Sequence, residues 1–263
     1  MFSQIASGYR PACIALMLAA ASPAFAQHDH HAVDAAAVPQ AQAKTATDGD
    51  GPYPAPAVAP TTEAMAALYK NMAPLSAYLG TGDADEVAIA RSAVPASIAD
   101  DAEVLAFDAK GYHQAVAGKN GWTCLVQRSW LDDFSNPEFW NPRIRVPICF
   151  NPQASRSVLP VYLERTKWVL EKRSLPEIMA TAKTHPIPDP ATGSFAIMMS
   201  KHGYVGDATG TPGPHVMIFL PDVPPSAWGF GLKGAPVFAA PGDKPSTTIF
   251  FLGVRRWSDG TLP

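Results

Sequence analysis

Residues 103–127 read EVLAFDAKGYHQAVAGKNGWTCLVQ, and this stretch decides the fold class. Apolar and aromatic residues gather in short runs at 103–107, 112–117 and 122–127, each of strand length. Lys110-Gly111 separates the first two runs. Lys119-Asn120-Gly121 separates the second two, and an Asn-Gly step between apolar runs is a strong hairpin signal. The stretch therefore predicts three strands joined by tight turns.

The pattern changes on either side. Leu159, Tyr162, Thr166 and Val169 recur at helical spacing and predict a helix over 158–172 with a charged outer face. Ser174-Leu175-Pro176-Glu177 carries the Ser, early Pro and Glu of a capping box and opens another helix. Upstream, Asp83 with Glu86 three positions later predicts a helix over 83–92, stopped by Pro95, and 62–72 predicts a further one. Strand patterns return at 195–200, 216–220, 237–239 and 247–254. Strands, a helical layer and more strands give a single α+β domain, a largely antiparallel sheet with a helical layer on one face.

The ends of the chain are unlike this middle. Residues 1–26 read as a secretory signal peptide: Arg10 is basic, 12–21 is apolar, and Ala24-Phe25-Ala26 offers small residues for cleavage. Export of bacterial type follows, to the periplasm or outside the cell. Residues 27–60 are rich in Ala and Pro with one aromatic, Tyr53, and predict a disordered tail, because such a segment buries too little apolar surface to offset its ordering entropy. The globular domain is then 61–263. It contains all six Trp and is close to neutral, although the whole chain of 263 residues carries a formal charge of -3. No basic run offers a footprint for a phosphate backbone, so nucleic acid is not an expected partner. The apolar runs after residue 26 are strand length, so no membrane span is expected after cleavage.

Of the three Cys, Cys13 leaves with the signal peptide, and an even pair in an oxidising compartment favours a Cys124–Cys149 disulfide over two thiols or two metal thiolates.

The candidate site is the glycine-rich loop 200–215, SKHGYVGDATGTPGPH, between two predicted strands. It is longer than a hairpin needs, and such loops tend to carry function. His202 and His215, one near each end, with Asp207 between them, could hold Zn or Cu or a small ligand; the competing reading makes both imidazoles polar caps at strand ends. Ser200 with His202 and Asp207 suggests a hydrolase as an alternative, without a Gly-x-Ser-x-Gly elbow to support it. The aromatic stretch 128–145, with Trp130, Phe134, Phe139 and Trp140, is either a stacking surface or a ring cluster packed under a loop. His28, His30 and His31 in the tail form a separate weak metal chelator. Together these predict an exported domain that binds a small molecule or metal at loop 200–215, with a hydrolase or a cell-envelope interaction module as alternatives.

Overall fold

The first strand pair forms as its sequence dictates. In the computed structural model, β1 (Glu103–Asp108) and β2 (Gly111–Val116) pair antiparallel around a two-residue turn. Asp108 Oδ1 accepts from the Lys110 N–H at 2.7 Å, and Gly111 sits at φ 114°, where a side chain is strained. The Asn-Gly step, however, does not close a second hairpin. After β2 the chain crosses the start of β1, and β3 (Thr123–Arg128) runs parallel to β1 on its far side. The crossing is fixed by the Lys119 and Asn120 N–H groups, which both donate to Asp101 O. It is also close: a Cβ on Gly118 would lie 2.3 Å from the Glu103 backbone nitrogen, so only glycine fits there.

The structure describes residues 61–263 except 187, 222, 234–236 and 242–246. All described residues belong to one compact unit, and among them no helix is long and apolar enough to cross a membrane. The signal segment 1–26 and the tail 27–60, with His28, His30 and His31, lie outside the described residues.

The domain is α+β, with one eight-stranded sheet in the order β2-β1-β3-β4-β5-β6-β8-β7. The further strands are β4 (Arg145–Phe150), β5 (Phe195–Met198), β6 (His215–Pro221), β7 (Val237–Pro241) and β8 (Thr247–Gly253). Every neighbouring pair except β1 and β3 is antiparallel. β4 is the strand its sequence conceals, because Pro147 sits at its centre and proline cannot donate to a ladder. The ladder to β5 covers only Cys149↔Ile197 and Phe150↔Ala196, so Pro147 lies beyond it, beside Gly203.

Because side chains alternate across a strand, the central strands feed two apolar clusters. Leu105, Leu125, Ile148 and Phe150 pack into the larger one, together with Tyr162 and Val169 from α5 (Leu159–Leu170) and Ile178 from α6 (Leu175–Thr184). Val104, Cys124, Val126 and Cys149 pack on the opposite face against α2 (Asp83–Arg91) and α3 (Ala96–Ala99). The remaining helices are α1 (Thr62–Leu68) and α4 (Pro152–Ser157). The large helical layer thus covers one face, and two short helices shield part of the other.

Cys124 and Cys149 are opposite residues of β3 and β4 and form a buried disulfide. With a sequence separation of 25, the bridge contributes about 3.5 kcal/mol in the chain-entropy account.

Two helix starts differ in an instructive way. The capping box at Ser174 forms as read, the Ser174 N–H donating to Glu177 Oε2 at 2.7 Å. At α2 the N-cap is Gly82, and Glu86 does not cap at all. Its side chain is fully buried, accepting from Arg128 Nη2 at 2.7 Å and Arg145 Nη2 at 2.6 Å. Removing one partner from such a buried set costs several kcal/mol, roughly 3–5, which is why this carboxylate is spent on the fold.

Candidate functional site

The glycine-rich segment leaves β5 and returns as β6, and its interior is occupied by the protein's own carboxylates. Gly206, at φ 144°, lets the backbone approach Glu138 so closely that a Cβ there would lie 2.6 Å from Glu138 Oε1. The following N–H groups converge on that carboxylate: Asp207 N lies at 2.8 and 2.9 Å and Ala208 N at 3.4 Å from its oxygens. Asn141 Nδ2 adds a bond of 2.6 Å. Successive backbone amides of this kind make an anion-binding nest, and here the anion is Glu138, itself 4% exposed.

Asp207 is held as tightly. It accepts from Tyr69 Oη at 2.6 Å, from Asn141 Nδ2 at 3.4 Å, and from Tyr204 Oη and Arg143 Nη2 in short bonds. Burial opposes its ionisation, but donation from Tyr204 and Tyr69 and the charge of Arg143 outweigh it and hold the carboxyl below its ordinary range. Burial, and after it the bond to Asp207, push the Tyr69 and Tyr204 phenols up against the opposing charge of Arg143. Two phenols and a guanidinium around one carboxylate satisfy it without a ligand.

His202 is exposed on the turn after β5, and its backbone N–H donates to Ser200 Oγ at 3.0 Å. His215 opens β6, with Nδ1 2.7 Å from Gly213 O and its ring against Phe251. Burial pushes its pKa down, a shift that favours the neutral imidazole. Asp207 is engaged elsewhere, and among the described residues no group of three or more His, Cys, Asp or Glu is placed to hold a metal ion. Ser200 Oγ lies 2.6 Å from Ser92 Oγ, which itself donates to Ile89 O at 2.5 Å, so the Ser200 proton goes to Ser92 and not to an imidazole.

The aromatic stretch is core. Trp130, Phe139 and Trp140 are buried, Phe134 is half-buried with its ring under the Arg165 guanidinium, and all four belong to the larger cluster. Trp130 Nε1 donates to Thr166 Oγ1 on α5, and its indole meets Tyr78 and Phe107. Of the four, Trp140 also borders open space.

One surface of that core does open outward. A cleft of about 670 Å³ lies between the segment that follows α1, residues 70–75, and the junction of α5 with α6, residues 169–176. Met72, Leu75, Trp140, Val169, Leu170 and Leu175 make its apolar lining, and Lys70, Lys172 and Arg173 stand among them, with no carboxylate in the lining. Its 70–75 wall is fixed at two points. Tyr78 Oη donates to Trp140 O at 2.8 Å and accepts from Ala73 N at 3.2 Å, and burial pushes that phenol up to about 12. At the other end Tyr69, next to Lys70, reaches Asp207. The glycine-rich loop therefore acts on this cleft from behind, as an anchor.

No family model, curated protein or solved structure matches the chain. The cleft must be read from its own residues.

The sequence alone does not disclose it, since 70–75 and 169–176 lie about a hundred residues apart and the capping box at Ser174 speaks only of a helix start. One signal was present. The α5 helix ends at Lys172-Arg173-Ser174 with no glycine, although the helix end is turned by a left-handed residue, Lys172 at φ 61°.

Proposed function

We propose that this protein is an exported small-ligand-binding domain whose site is the cleft between residues 70–75 and the α5–α6 junction. The observation that carries the reading is the union of an apolar cavity of about 670 Å³ with unspent charge at its edge. That volume is in the range of small-molecule sites, roughly 300–1,000 Å³, which are mostly apolar with a few placed polar groups. Binding at loop 200–215 is less well supported, because Glu138 and Asp207 fill that loop and its two imidazoles stand apart from them. A hydrolase lacks support at the same place, where Ser200 donates to Ser92.

Location in the periplasm or outside the cell is part of the proposal. It rests on the export signal read in residues 1–26, and the buried Cys124–Cys149 disulfide suits an oxidising compartment.

The test is a titration of the full exported chain with N-phenyl-1-naphthylamine, a neutral probe that fluoresces in apolar surroundings. One saturable site per chain is expected. A linear, non-saturating rise would refute the cleft as a binding site.

A further inference from the structure

Resting on that reading of the cleft, we propose that its ligand is a single-headed anionic amphiphile of the fatty-carboxylate kind, taken up as a free monomer. Its chain would lie on Met72, Leu75, Trp140 and Val169, and its head would meet the ammonium groups of Lys172 and Lys70.

Charge complementarity is the first argument. The domain as a whole is nearly balanced in sign, yet the residues lining the cleft include three cations and no acid. The three cations are not equivalent. Arg173 spends its guanidinium on Glu171, at 2.7 and 2.8 Å, and on Thr181 Oγ1 at 3.0 Å. Lys70 and Lys172 are exposed, and neither ammonium is paired among the described residues. The available positive charge at the mouth is therefore theirs, next to an apolar interior that suits a hydrocarbon chain and would strip water from a buried head group at a cost. An amphiphile with its chain inside and its anion at the wet edge satisfies both.

The backbone supplies the second argument. Lys172 is the one non-glycine residue among the described residues with positive φ, at 61°. It occupies the position just beyond a helix C-terminus that glycine ordinarily takes, because a Cβ is strained in the left-handed region. A lysine standing there against local preference, in the lining of the cleft, is accounted for by a role at the cleft. Strain retained at one residue is an observation from which function can be argued, and here it coincides with the charge.

The two roles predict opposite outcomes for one substitution. Lys172→Gly relieves the backbone and removes the ammonium, so the thermal midpoint should rise by about 2–4 °C, the shift expected for roughly 1 kcal/mol in a domain of this size, while binding weakens. A merely structural lysine would give no loss of binding, and a lysine essential to the fold would lower the midpoint.

Three probes of equal chain length serve as ligands below their micelle concentrations: dodecanoate, 1-dodecanol and dodecyltrimethylammonium. Each is titrated by displacement of the naphthylamine probe. Dodecanoate should bind at least about 10-fold tighter than dodecanol, with the cation weakest, and Lys172→Gly with Lys70→Gln should erase most of that order. Equal binding of all three, or an anion preference that survives both substitutions, would overturn the inference while leaving the cleft a binding site. Failure of all three to bind, or to displace the probe, would overturn the cleft reading itself.

Discussion

The glycine-rich loop and the α5–α6 cleft both bring charged groups to the edge of the apolar core, and they differ in what those groups have left to give. At the loop the strong charges are consumed by the protein itself: Glu138 by the backbone amides that follow Gly206, Asp207 by Tyr69, Tyr204 and Arg143, and Lys201 by Asp259. In the cleft the apolar surface is open and Lys70 and Lys172 carry no partner among the described residues. Residue type alone marks the first as a site and the second as an ordinary helix junction. The hydrogen bonds favour the second as the place for a ligand, because a ligand needs groups that the fold has not already satisfied.

Two substitutions sharpen this contrast. The larger effect belongs to Glu138→Ala, which strips the acceptor from two backbone N–H groups and Asn141 in a buried setting. Leaving such donors unpaired costs about 3 kcal/mol, to be read from the midpoint of denaturant unfolding. A loss under about 0.5 kcal/mol would mean that the loop is not closed by this carboxylate, and the contrast would collapse.

Asp207→Asn comes next, at about 1–2 kcal/mol near neutral pH, since the Arg143 partner is half exposed and screened. The effect has a signed pH dependence. Because the folded pKa of Asp207 lies below its ordinary value of 3.8, its contribution is complete above that value and is lost as pH falls through the folded one. Stability curves of the wild type and the Asn variant should therefore run apart at pH 7 and converge below about pH 4. Curves that stay parallel down to acid would show that the charge of Asp207 contributes nothing.

How far the sequence discloses this molecule depends on how local each determinant is. The α6 capping box and the β1–β2 turn are decided within four residues, and both form as read. The Asn120-Gly121 step is a real turn, but a turn does not say which strand the chain pairs with next. That choice was made by Gly118 passing Glu103 and by Asp101 accepting two amides. β4 was hidden by Pro147, which is tolerated because the ladder on that side stops short of it. Glu86 looked like a capping acid, and only the arrival of Arg128 and Arg145, 42 and 59 residues later, makes it a buried counter-ion. The rings of 128–145 were legible as a packed cluster, one of the two readings their sequence offered, but not the partners they pack on, because Tyr78 and Thr166 come from elements on either side. The cleft was least legible of all. Its walls meet only in the fold, and the one local hint is a lysine where a helix end prefers glycine.

In the proposed function, binding resides in the cleft and not at the histidines of the loop. Naphthylamine titration of two variants decides it: Leu75→Asp, which places a charge in the apolar wall, and the double change His202→Ala with His215→Ala. Leu75→Asp is expected to lose saturable binding while the double histidine variant binds as tightly as the wild type. Binding that survives Leu75→Asp and disappears with the two histidines would contradict it.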